Sequence, residues 1–197
     1  MKTTKYVLIA SVSLILIVSL ILGILSVRYY NRLVSLDENI NESYAQVYNR
    51  LEQRHDTITQ MVSTVSGLQE HEQAIYELIV EARTKYLAAS ASNDVDALAE
   101  ADALESQAIT QLLVVIEDNP NLTVSSAFNG LLDTIYALES ALSVARRDYN
   151  NDVASYNRTV RRFPGNIYKN IYSFESNLSY WRINEGVDEV PNIDFGD

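Results

Sequence analysis

Ten residues of chemically useful type fall on or beside the apolar stripes of this chain: Arg54, Asp56, His71, Glu72, Glu81, Arg83, Glu105, Glu139, Arg146 and Arg147. Gathered in a pocket, such carboxylates, guanidiniums and an imidazole could form an acid/base cluster. The bland alternative is that they pair off between helices. Arg and carboxylate neutralise each other, and a polar group at a seam position fixes alignment at some cost in stability. The spacing favours pairing. His55 and His71 are the only histidines, about 24 Å apart on a straight helix. His71-Glu72-Gln73-Ala74-Ile75 starts like a zinc-protease helix but lacks the second histidine. A carboxylate-bridged di-metal bundle needs Glu-x-x-His on two helices. Only Glu52-Gln53-Arg54-His55 supplies it, with an arginine inside, and Leu68 stands where His71 would need its glutamate. There is no cysteine, hence no thiolate nucleophile or Cys-based metal site, and no Gly-rich phosphate loop or nucleophile elbow. The sequence therefore predicts no catalytic, cofactor-binding or metal-binding residues.

The elements that must position these groups are helices. Ile40, Tyr44, Val47, Leu51, Ile58, Met61, Val65 and Leu68 recur in steps of three and four, with Arg54 at the one polar station. The rhythm resumes as Ile75, Ile79, Ala82, Tyr86 and Ala89, bridged by His71 and Glu72. Such spacing draws one stripe along a helix. It predicts one very long helix, or two collinear ones, from Arg28 to about Ala89, kinked at Gly67. After the Ser90–Asp94 break, where Ser92, Asn93 or Asp94 can cap, Val95, Leu98, Ala101, Ile109, Leu112 and Ile116 form a second stripe interrupted by Glu105. Asp118-Asn119-Pro120-Asn121 ends it. The last stripe runs Phe128, Leu131, Ile135, Leu138, Leu142, Ala145, Tyr149, Tyr156, Val160 and Phe163, polar only near Asp152, until Pro164-Gly165 stops it. Stripes of this kind are buried only against one another. The fold class is all-α: a transmembrane helix followed by an elongated antiparallel bundle of three to four long helices.

The run from Tyr6 to Val27 carries no charge and no proline over 22 residues. At ~1.5 Å per residue it spans about 33 Å, enough for a hydrocarbon core of about 30 Å. Lys2, Lys5, Arg28 and Arg32 flank it, with Tyr6, Tyr29 and Tyr30 at its ends. It is longer than a signal-peptide core and lacks a small-residue cleavage site, so a retained anchor is expected. The flanking cations are balanced and leave orientation open. The chain has 197 residues and net charge −11; from Tyr29 onward, 12 basic residues face 26 acidic ones, about −14. That charge repels nucleic acid, which is not expected as a partner.

Two Tyr-Asn pairs, Tyr149-Asn150 and Tyr156-Asn157, recur at a heptad. Tyr filling the core, with its hydroxyl and the Asn amide tying neighbouring helices together, is favoured over a ligand-binding ladder. Arg158, Arg161, Arg162 and Lys169 are the only basic cluster. A helix C-terminus favours cations there, and contact with lipid heads or an acidic partner is the sharper alternative. The tail mixes Ile167, Tyr168, Ile171, Tyr172, Phe174, Tyr180 and Trp181 with polar residues, so its first part should dock. Asn184–Asp197 is acidic and expected to be loose. The domain plan is a flank (1–5), an anchor (6–27), a bundle domain (28–175) and an acidic tail (176–197).

Several motifs occur in a specific order: Tyr30-Asn31-x-Leu33-Val34, Arg54-His55-Asp56, Glu81-Ala82-Arg83, Asn119-Pro120-Asn121-Leu122, Ala145-Arg146-Arg147-x-Tyr149-Asn150-x-x-Val153-x-x-Tyr156-Asn157, and Arg162-Phe163-Pro164. In these the chain resembles the LemA family of bacterial membrane-anchored proteins, from the anchor to about Phe174. Two departures stand out. The family usually shows Arg-Arg-x-Asp where this chain has His55 second. It commonly continues Asp-Leu-Ile-Pro-Asn-Leu-Val, where this chain has Asp56-Thr57-Ile58-Thr59-Gln60-Met61-Val62 and no helix-bending proline. The resemblance implies an all-helical domain on a single bacterial cell membrane span, with no agreed catalytic activity or cofactor, and leans towards a cytoplasmic domain. A magnetosome relative tied to membrane biogenesis points towards an organising or remodelling role. The expected function is a non-enzymatic membrane-anchored scaffold acting through protein–protein contacts, held by lipid through its anchor, as a homo-oligomer with an unknown protein partner. The alternatives are a lipid-contacting or remodelling protein, an undescribed enzyme using the Arg/Glu/His seam cluster, and a sensor-like ectodomain.

Overall fold

The computed structural model describes residues 2–64, 72–92, 94–118 and 126–182. Among them are five helices and no strand: α1 (Lys2–Thr64), α2 (Glu72–Ser92), α3 (Val95–Asp118), α4 (Ser126–Arg161) and α5 (Gly165–Tyr172). The protein is all-α. It divides into two compact units that share α1 and α4. Unit 1 is Met1–Asn41 with Asp152–Leu178, and unit 2 is Glu42–Asn151 with Ser179–Asp197.

Unit 2 is an up-down-up-down bundle. Tyr48 of α1 lies beside Tyr86 of α2, ring centroids 5.2 Å apart, and Ile58 shares a core cluster with Ile79. Rising numbers on α1 thus meet falling numbers on α2. This corrects the expected collinear helix from Arg28 to Ala89: on one rod, Tyr48 and Tyr86 would be about 57 Å apart. Folding back buries both stripes at once, which a rod cannot do. Gly67, Val65, Leu68 and His71 lie outside the described residues. The α2–α3 hairpin turns at Asp94, whose Oδ1 accepts from the Ala97 N–H at 3.1 Å as an N-cap. α4 runs antiparallel to α1, with Tyr149 beside Tyr44 and Glu139 bound to Arg54. The core cluster joins Ile58, Met61, Val62, Ile79, Ala108, Ile109, Leu112, Phe128 and Ile135. α1 continues unbroken through Asp56–Val62, as expected where the proline is missing.

In unit 1 the apolar run at the start of α1 is exposed from Ile9 to Leu25. This one helix is long and apolar enough to cross a membrane and fits a membrane anchor. Beyond it, Leu33, Ile40, Val153, Tyr156 and Val160 are buried. Val153 occupies the station that the sequence reading left polar near Asp152, keeping the stripe in steps of four, three and four. Phe163 is a second correction. It is 79% exposed, because α4 ends at Arg161 before the stripe reaches it. Pro164-Gly165 does more than stop α4; it also opens α5. A Cβ on Gly165 would lie 2.0 Å from the Thr159 carbonyl oxygen, so the turn admits only glycine. α5 ends at Ser173, which takes a left-handed conformation (φ 58°).

Candidate functional site

The strongest concentration of polar groups lies inside unit 2, where α1, α3 and α4 converge on Arg54. Asp102, Glu105 and Ser106 are spaced three and four along α3, so a single helix face presents all three. Glu139 and Arg146 are two turns apart on α4 and share a stripe. Arg54 is 0% exposed. Its Nη2 donates to Asp102 Oδ1 at 2.6 Å and to the Asp102 carbonyl at 3.1 Å. Its Nη1 donates to Glu139 at 2.7 Å and to Ser106 Oγ at 3.3 Å, and Nε reaches Glu105 at 3.2 Å. The planar fork of an arginine, with five N–H donors, suits this multiple role. Burial disfavours the Arg54 charge, but Asp102, Glu139 and Glu105 outweigh it, and its pKa is raised.

Around this centre further bonds are made, while the buried Arg146 Nε has no hydrogen-bond partner. Arg146 Nη2 donates to Asp102 Oδ1, and the Trp181 indole N–H donates to Asp102 Oδ2 at 3.2 Å. His55 Nδ1 and Glu105 Oε1 are hydrogen-bonded at 2.6 Å. Burial lowers the pKa of Arg146, opposed by Asp102 and reinforced by the nearby Arg54 charge. A cavity of about 280 Å³ opens beside Asp102, Ser106, Thr110, Tyr136, Glu139 and Arg146. The Glu139 side chain, 34% exposed, is the least covered of the three carboxylates paired with Arg54.

Of the ten residues singled out in the sequence, the fold brings together Arg54, Glu105, Glu139 and Arg146. Asp56 is exposed. Glu81 pairs on the surface with Lys85, and Arg147 with its neighbour Asp148. Arg83 lies over the Tyr86 ring at 5.7 Å. His71 and the Glu72 side chain lie outside the described residues. Asp102 was missed by sequence reasoning, and Trp181 was expected to dock but not as a partner of Asp102. Asp102 follows the stripe residue Ala101 and reads there as solvated, although its three-residue step to Glu105 marks it as sharing that face.

The Tyr-Asn pairs have a different partner from the one expected. In unit 1, Asn157 donates from Nδ2 to the Leu178 carbonyl at 2.9 Å and accepts from the Leu178 N–H at 2.8 Å. Tyr156 OH donates to the Glu175 carbonyl at 3.1 Å. In unit 2, Asn150 makes the same two bonds with Trp181, at 3.0 and 2.8 Å, and Tyr149 OH donates to the Ser179 carbonyl at 3.0 Å. Each primary amide imitates a peptide of a paired strand. The pairs therefore secure the extended segment after α5, not a neighbouring helix, because an irregular segment has free peptide groups and a helix has none along its side.

A family model for the LemA family matches residues 43–195. The chain belongs to the LemA family. None of the curated proteins compared with it matches significantly. The LemA match begins after the apolar run, so it covers the bundle and leaves out that run. Within it lie Arg54, the carboxylates that hold it, and both Tyr-Asn locks.

Proposed function

We propose that this LemA-family chain is a non-enzymatic, membrane-anchored scaffold acting through protein contacts, with its bundle on the cytoplasmic side. The observation that carries the reading is the state of the Arg54 cluster. Each carboxylate there already accepts from a guanidinium, and the central arginine is sealed from water. Groups committed to one another in this way set helix register. Unit 2 is strongly acidic in composition, with 22 Asp and Glu against seven Lys and Arg, and such a field selects basic partners.

The test is in-cell crosslinking of the full chain, followed by mass measurement in mild detergent. Oligomers or a reproducible basic partner are expected; a monomer that captures nothing would overturn the scaffold. Tubulation of liposomes by the pure protein would transfer the role to membrane remodelling. For the bundle's side, a reporter fused at the C-terminus should be active only in its cytoplasmic form.

A further inference from the structure

α5 has two distinct faces. On one, the Tyr168 ring stacks on Tyr29 with centroids 5.1 Å apart, and Tyr172 meets Tyr30 edge-on at 4.9 Å. The Tyr172 hydroxyl shares a 2.6 Å hydrogen bond with Ser26, and Ser26 belongs to the apolar run itself. These contacts fix the level of α5. Ser26 to Tyr30 rises about 6 Å along the helix, close to the thickness of one headgroup layer, about 5–7 Å. The other face carries Ile167 and Ile171, one turn apart and 47% and 61% exposed, with Phe163 at 79% just before the helix. Three large apolar side chains are thus bare at the level where the span leaves the lipid.

Charge points to the occupant. Leaving out Lys2 and Lys5 at the far end of the apolar run, unit 1 holds six Lys and Arg against four Asp and Glu, the reverse of unit 2. Arg158, Arg161 and Arg162 are exposed at the end of α4, just before Phe163 and α5. An apolar stripe bordered by cations is the pattern of a helix lying in an anionic interface. We propose that Phe163, Ile167 and Ile171 insert into the lipid interface beside the span, with these cations over anionic headgroups. The chain then grips its membrane at two points, and the second fixes how the anchor is oriented. This rests on the apolar run being in lipid.

Because the chain lacks cysteine, single sites can be labelled cleanly. Phe163→Cys, Ile171→Cys, Asn166→Cys and Ile17→Cys would each carry an environment-sensitive nitrobenzoxadiazole dye on the full chain. Each would be reconstituted in nanodiscs of phosphatidylcholine and phosphatidylglycerol, with circular dichroism confirming the fold. Dyes at 163 and 171 should be blue-shifted, quenched severalfold by shallow doxyl lipid and protected from aqueous iodide, with the reverse at 166. Iodide quenching at 163 and 171 equal to that at 166, with the dye at 17 in lipid, overturns the proposal and spares the anchor. A dye at 17 that is itself open to iodide overturns both. Protection from both quenchers at 163 and 171, with energy transfer between copies, would mean that a second copy covers the face, and this too overturns the proposal.

Discussion

Unit 2 is organised around a buried charge, and unit 1 carries a stack of partly exposed rings beside the apolar run. In unit 2, Arg54 of α1 draws side chains from α3 and α4 onto one guanidinium. In unit 1, Tyr29, Tyr30, Tyr168, Tyr172 and Phe174 pack face to face or edge to face. The difference follows from what each must specify. Four similar apolar stripes could slide past each other by a turn at little cost, and a buried arginine that must meet Asp102, Glu105 and Glu139 removes that freedom. Next to an apolar span, amphipathic rings satisfy both lipid and water with no buried charge. The two regions share one device, the Tyr-Asn lock on the extended segment.

The largest expected effect breaks the charged side of this comparison. Arg54→Ala leaves buried carboxylates without their counter-charge and should cost about 3–5 kcal/mol. Denaturant unfolding of the full chain in mild detergent, followed by Trp181 emission, measures it. Arg54→Lys should recover only part of the loss, because an ammonium cannot present the fork that reaches three carboxylates. A cost below about 1 kcal/mol for Arg54→Ala would mean that the network is incidental.

The next effect falls on both units equally. Burial pushes the Tyr149 phenol up to about 12, helped by Tyr44 and Asp96. It does the same to Tyr156, up to about 12, with Asp37 and Glu175 adding to it. Below pH ~10 both folded and unfolded rings are neutral, and the contribution is fully present. Above that pH the unfolded ring ionises while the folded one does not, so stability falls until the folded ring titrates. The loss should be about 2 kcal/mol per ring. Tyr149→Phe and Tyr156→Phe should each flatten the stability curve in this window. Stability independent of pH there would refute the burial argument.

A smaller effect sharpens the shared device. Asn150→Ala removes two bonds to Trp181 and should cost about 1–3 kcal/mol, with Trp181 emission shifted to the red as its 4% exposure rises. Asn157→Ala should cost a similar amount yet leave that emission in place, since its partner is Leu178. Asn150→Asp should be worse than Ala, because it loses the donor and brings a charge to the Trp181 carbonyl. An identical emission shift from both alanine variants would show that the two locks are not local.

Much of this was legible because helices write their burial into one dimension. The stripes through Val47, Leu98 and Leu142 are buried as spaced, and Arg54 and Glu105 stood out as polar stations. What was not legible depends on where the chain turns. The spacing of Ile58 and Ile79 is the same whether the helix continues or folds back, so the α1–α2 reversal left no mark in periodicity. The partners of Trp181 and of the Asn amides were hidden for a related reason: a segment outside the helices has no stripe, and its partner is chosen by peptide groups that every residue possesses. The exposed Phe163 reads as one more core residue because its step of three continues a pattern whose helix has already ended.

The smallest effect isolates the role of burial within unit 2. Lys85 Nζ lies 2.7 Å from Glu100, the same distance as Arg54 Nη1 from Glu139. The two pairs differ in what surrounds them. The Lys85 and Glu100 side chains are in water, where attraction is screened and ordering two long side chains cancels much of the gain. The Glu100 hydrogen bond raises the Lys85 pKa, but at so exposed a site that shift says little about stability. Lys85→Ala should therefore leave the unfolding midpoint nearly unchanged, and the remaining effect should vanish in added salt. A loss comparable to Arg54→Ala would mean that contact distance outweighs desolvation in this bundle, and the reading of Arg54 as its register pin would then need a different physical basis.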